Sequence, residues 1–103
     1  MSRHCTRSCY AGQPVLVVAG YDRPLRELFL HVILETQGDG GDVAEQFIYD
    51  SLDEPQRDWT DIDTLVETLG RLGIAVPDSM VMEIHLDQLL NVGNRVVQHG
   101  PAG

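Results

Sequence analysis

The chain has 103 residues, 43% hydrophobic and 22% charged, which suits one domain with a small core and leaves no room for two. Sixteen acids against seven cations give a net charge of −9, and this argues against ordinary nucleic-acid binding, where phosphate contacts need clustered cations. All seven cations are arginine, so neither a Walker A phosphate loop nor a lysine Schiff base is available.

The longest apolar run, residues 28–34, is interrupted by His31 and is far shorter than the roughly 20 residues a membrane-spanning helix needs. No apolar segment follows Arg3 and Arg7, as it would in a secretory signal. The expectation is therefore a cytoplasmic protein without membrane contact, whose Cys5 and Cys9 are free thiols.

Taken in chain order, residues 1–13 read as a flexible N-terminal arm, small and polar, closed by Gly12 and Pro14. Residues 14–99 form a single α+β domain. Residues 14–19 are β-branched and continuous, bounded by Pro14 and Gly20, and predict a buried strand. Residues 25–35 fit both helical and alternating spacing. Coiled, they would spread apolar side chains round most of a helix, more than so small a domain can cover. A strand is expected, antiparallel to the first across an Asp22-Arg23-Pro24 turn. A flexible loop over residues 37–42 and a third strand over residues 46–50 follow.

The clearest helix starts at an N-cap Thr60 with Asp61 and Asp63 in its first turn. Ile62, Leu65, Val66, Leu69 and Leu72 make its apolar stripe, and Gly73 supplies a left-handed C-cap. A second helix begins at Asp78 or Ser79, with Met82, Leu86, Leu89 and Val92 on its core face beside Val81 and His85. Residues 95–99 predict a short last strand and residues 100–103 a disordered tail. The order βββααβ predicts an antiparallel sheet of about three to four strands with two helices on one face.

The negative charge is concentrated. Residues 35–67 hold eleven of the sixteen acids against Arg57 alone. Trp59, the single tryptophan, stands among them, beside Asp58 and Asp61. Tryptophan anchors many interfaces, and before a helix it also serves as a hydrophobic staple on the first turns. The leading expectation is a protein–protein interaction or regulatory module. It would present Trp59, Asp58, Asp61, Tyr49, Asp53 and Glu54 to a partner with a basic surface. An acidic nucleic-acid mimic and a homodimer paired through an exposed strand are alternatives.

His4, Cys5 and Cys9 offer three soft ligands within six residues, a weak zinc or reactive-thiol candidate that lacks a second Cys/His pair. The acids Asp39, Asp42, Asp50, Asp53 and Glu54 do not fit a calcium-loop register. His31 and His85 read as hydrogen-bonded core residues. No catalytic set emerges, and the leaning is away from an enzyme.

Overall fold

The computed structural model describes residues 1–34 and 46–100. The loop expected over residues 37–42, the acids Glu35, Asp39, Asp42 and Glu45, and residues 101–103 of the expected tail lie outside them. Five strands are present: β1 (Ser2–Tyr10), β2 (Gln13–Asp22), β3 (Glu27–Leu34), β4 (Gln46–Asp50) and β5 (Arg95–Gln98). Two helices, α1 (Ile62–Leu72) and α2 (Asp78–Leu89), lie between β4 and β5 in sequence. The sheet order is β4-β3-β2-β1-β5, antiparallel except for the parallel pair β1–β5.

The α+β class and the two helices on one face stand as expected. The expected count of about three to four strands is close to the five present, and the parallel pair β1–β5 makes the sheet mixed; the added strand is β1. Residues 2–10, expected to be part of a flexible arm, form a nine-residue strand inside the sheet. Ala11 and Gly12 turn the chain with φ of 49° and 79°. Two central residues at positive φ match the twist of a tight hairpin, and Tyr10 pairs with Gln13 across them.

The inward face of β1 is polar, which hid the strand from any apolar count. Each polar group has a partner: the Ser2 hydroxyl accepts from Tyr21 N–H, and the Thr6 and Ser8 hydroxyls donate to the carbonyls of Gly100 and Ala75. Strand β2 also runs past Gly20. A Cβ there would sit 2.1 Å from the Ser2 carbonyl oxygen, so glycine lets the backbone of β1 close on β2.

Within residues 25–35, Glu27–Leu34 resolve as strand. Strand β3 pairs with β2 from Val15↔Leu34 to Asp22↔Glu27, the antiparallel hairpin expected. The main core gathers Val15, Val17, Ala19, Leu28, Leu30 and Val32 from the sheet against Leu65, Leu69, Met80 and Ile84 from the helices. On the opposite face Cys5, Val18 and Phe29 form a smaller cluster with Leu16 and Ile33.

Helix α1 is capped one residue later than expected. The Asp61 side chain, not that of Thr60, accepts from Asp63 N–H. Gly73 closes the helix at φ 70°, and Ile74 N–H returns to the Leu69 carbonyl. Helix α2 departs further. Its N-cap is Pro77, without a side-chain bond, and its buried residues are Met80, Ile84 and Asp87. Met82, Leu86 and Leu89, expected in the core, point outward. The reason is Asp87: a carboxylate with three donors inside the protein turns that face of α2 toward the sheet.

Candidate functional site

A buried polar cluster joins β1, α2 and the end of β5. His4, in the middle of the β1 inward face, has no exposed surface. Its Nε2 lies 2.6 Å from Asp87 Oδ2, and its Nδ1 lies 2.9 Å from His99 Nε2. Parallel pairing sets this geometry, because His4 lies opposite Val97 and His99 N–H donates to the Cys5 carbonyl. The two imidazoles stack with centroids 5.1 Å apart.

Arg95 completes the cluster. Its guanidinium donates to Asp87 Oδ1 at 2.8 Å and to Glu83 Oε1 at 2.9 Å. Glu83 and Asp87 are four residues apart on α2, so one planar cation reaches both. The other Glu83 oxygen, Oε2, lies 3.4 Å from His99 Nε2. Among the described residues no buried side-chain nitrogen or oxygen lacks a hydrogen-bond partner.

Charge states follow from these contacts. Burial raises the Asp87 carboxyl, but donors from His4, Arg95 and Ser2 outweigh it and hold the group below its ordinary value. Burial lowers His99; the Glu83 carboxylate pulls the other way, and the His4 and Arg95 charges add to the lowering. The Asp87 carboxylate takes the hydrogen bond from His4 Nε2, and His4 Nδ1 faces His99 Nε2.

The thiols do not join this cluster. Alternation along β1 puts His4 on the helix-covered face and Cys5 on the other, among Val18 and Phe29. His4, Cys5 and Cys9 therefore cannot share one ion, a correction to the ligand set drawn from their spacing. Burial also pushes the Cys5 thiol up more strongly than Arg3 draws it down, the reverse of an activated cysteine. Cys9 is exposed.

The expected interaction residues divide in two. Trp59 is 5% exposed and packs in the main core. Its Nε1–H donates to the Glu54 carbonyl at 2.9 Å, its own carbonyl accepts from Leu28 N–H at 2.7 Å, and Arg57 sits over its ring. The staple role fits this placement; a ring so covered offers a partner little surface. Tyr49 stacks obliquely near Trp59 and donates its hydroxyl to Glu54 Oε1 at 2.7 Å. Burial and the Glu54 carboxylate raise the Tyr49 phenol. Asp53, Asp58 and Asp61 are exposed, and hydrogen bonds from the Thr60 side chain and backbone hold Asp58 below its ordinary value.

A second surface is the face of α2 that periodicity assigns to the core. Met82, Leu86, Leu89 and Leu90 are between 49% and 72% exposed, in one stripe opposite the buried face of α2. The same helix is tied to the acidic segment on its flank, where the Gln88 side chain donates to the Thr60 carbonyl. His31 is half-buried, 3.4 Å from Asp50, and His85 is exposed; neither is a core histidine. No protein-family model matches this chain, and neither does any curated protein or solved structure.

Proposed function

We propose that the protein is an interaction module that docks a basic, amphipathic helix of a partner protein onto α2. The observation that carries this reading is the outer stripe Met82–Leu86–Leu89–Leu90. A helix that is apolar on its core face and again on its outer face is one that needs cover on both sides. The exposed acids Asp58, Asp61 and Asp63 stand at the end of α1 that Gln88 of α2 touches, which puts negative charge on the same side of the molecule as this helix. A basic helix with apolar anchors at i, i+4 and i+7 complements both features. A second copy of the chain does not, since pairing sets −9 against −9.

Trp59 acts in this scheme by holding the acidic segment against β3. The charges contribute encounter rate and selectivity, and the apolar anchors contribute affinity.

A synthetic helical peptide with leucines on one face and lysines on the other tests the reading. It should bind the wild-type chain, bind less as salt rises, and bind at least about tenfold more weakly to Leu86→Ser/Leu89→Ser. A peptide of the same charge with its leucines replaced by serine should not bind. Equal binding of the two peptides, or a wild-type chain that sediments as a dimer and is made monomeric by the same substitutions, would overturn it.

A further inference from the structure

We propose that His4, His99 and Glu83 form a binding site for a divalent metal ion of the zinc class. The site is independent of the docking surface on α2. Its three ligand atoms are His4 Nδ1, His99 Nε2 and Glu83 Oε2, and all lie within 4.8 Å of one another. Around a tetrahedral ion with bonds of about 2.0–2.1 Å, ligand atoms stand roughly 3.3 Å apart. The His99–Glu83 separation of 3.4 Å meets this, and the His4–His99 separation of 2.9 Å needs to open by less than half an ångström.

The arrangement of nitrogens and oxygens suits a cation at this place. Asp87 Oδ2 lies against His4 Nε2, which turns His4 Nδ1 toward His99. Arg95 fills Glu83 Oε1, which leaves Oε2 turned toward His99 Nε2. A divalent ion would take one lone pair from each of the three groups, with any proton on those atoms released to solvent on binding.

The surroundings match what metal-bound histidine uses elsewhere. A ligating imidazole normally passes its other N–H to a carboxylate that fixes tautomer and orientation. Asp87 has that position behind His4, and Arg95 holds Asp87 and Glu83 together. Two carboxylates, Glu83 and Asp87, flank the site, and negative charge beside the ligands favours a doubly charged cation. Glu83 is 33% exposed, so the site is reached from solvent on its carboxylate side. Two imidazoles and a carboxylate suit zinc, and cobalt(II) as its spectroscopic substitute, better than calcium or magnesium, which prefer oxygen alone.

The test uses untagged full-length protein dialysed against EDTA. Cobalt(II) should give the visible bands of a four- or five-coordinate site, without a thiolate charge-transfer band, and calorimetry should show one zinc ion per chain. His99→Ala and Glu83→Gln, checked for folding by circular dichroism, should each weaken binding at least about tenfold. Cys5→Ser/Cys9→Ser and His85→Asn should bind as wild type does. Folded wild-type protein that takes up neither ion overturns the proposal. So does binding that survives both ligand substitutions, or that disappears with the cysteines.

Discussion

His4 and Asp87 meet at 2.6 Å across 83 residues of sequence, one from the first strand and one from the last helix. Both are essentially without exposed surface. A buried pair of this kind adds little over a well-packed apolar pair, but losing one member strands the other. Asp87→Ala should therefore lower unfolding free energy by about 3–5 kcal/mol. Asp87→Asn keeps some of the hydrogen bonds and should cost less. Urea denaturation followed by circular dichroism measures both, and equal costs for the two would show that charge is immaterial there.

Acid should weaken the fold in two steps. His99 is held below its ordinary value of 6.5 in the native state, chiefly by burial. The unfolded chain binds that proton first, so stability is complete above about pH 6.5 and declines as pH falls toward the native value. Asp87, also lowered, adds a second loss that starts near its ordinary value of 3.8. Three charged or titratable groups act on His99: His4 from β1, Glu83 from α2, and Arg95 from β5. Urea midpoints at pH 7.5 and 5.5 should differ in wild type and converge in His99→Gln. A midpoint that rises on acidification contradicts the assignment.

The faces of α2 should respond oppositely to substitution. Ile84→Ala removes a buried side chain and should cost about 2–5 kcal/mol. Leu86→Ser and Leu89→Ser alter exposed positions and should change stability by no more than about 0.5 kcal/mol. Thermal melts decide this, and a large loss from either serine variant would show that the stripe already packs within the chain.

Trp59 is a probe of the acidic segment as well as a core residue. As the single tryptophan it should emit in the blue and resist quenching by acrylamide until the chain unfolds. Trp59→Ala should cost about 3–5 kcal/mol. Trp59→Phe keeps a ring but leaves the Glu54 carbonyl without its donor and should cost roughly 1–3 kcal/mol.

The thiols should separate cleanly in a titration with Ellman's reagent. Exposed Cys9 reacts in the native state, whereas buried Cys5 waits for unfolding. Two fast thiols would mean that β1 opens readily.

Much of the layout was legible in the sequence for identifiable reasons. The choice between strand and helix over residues 25–35 followed from how little surface a small domain can cover, and β3 agrees. The Gly73 cap was readable because positive φ has few occupants. Strand β1 was not readable: its inward side chains are Ser2, His4, Thr6 and Ser8, and their partners lie far along the chain. The faces of α2 are exchanged for the same reason: a carboxylate is normally a surface residue, and only His4, Arg95 and Ser2, distant in sequence or outside the helix, account for the burial of Asp87. His99 carries no local signal at all, since its neighbour in space is 95 residues away.

The parallel pairing of β1 with β5 also has a consequence for biosynthesis. As the chain emerges from a ribosome, β1, β2, β3 and β4 can zip together early through their hairpins. One edge of β1 then stays without a neighbour until residues 95–98 have been made. Throughout that interval an open strand edge is exposed together with an unsatisfied His4. The last strand is thus the closing step of folding, and chains released before it is complete should be prone to pair edge to edge with one another.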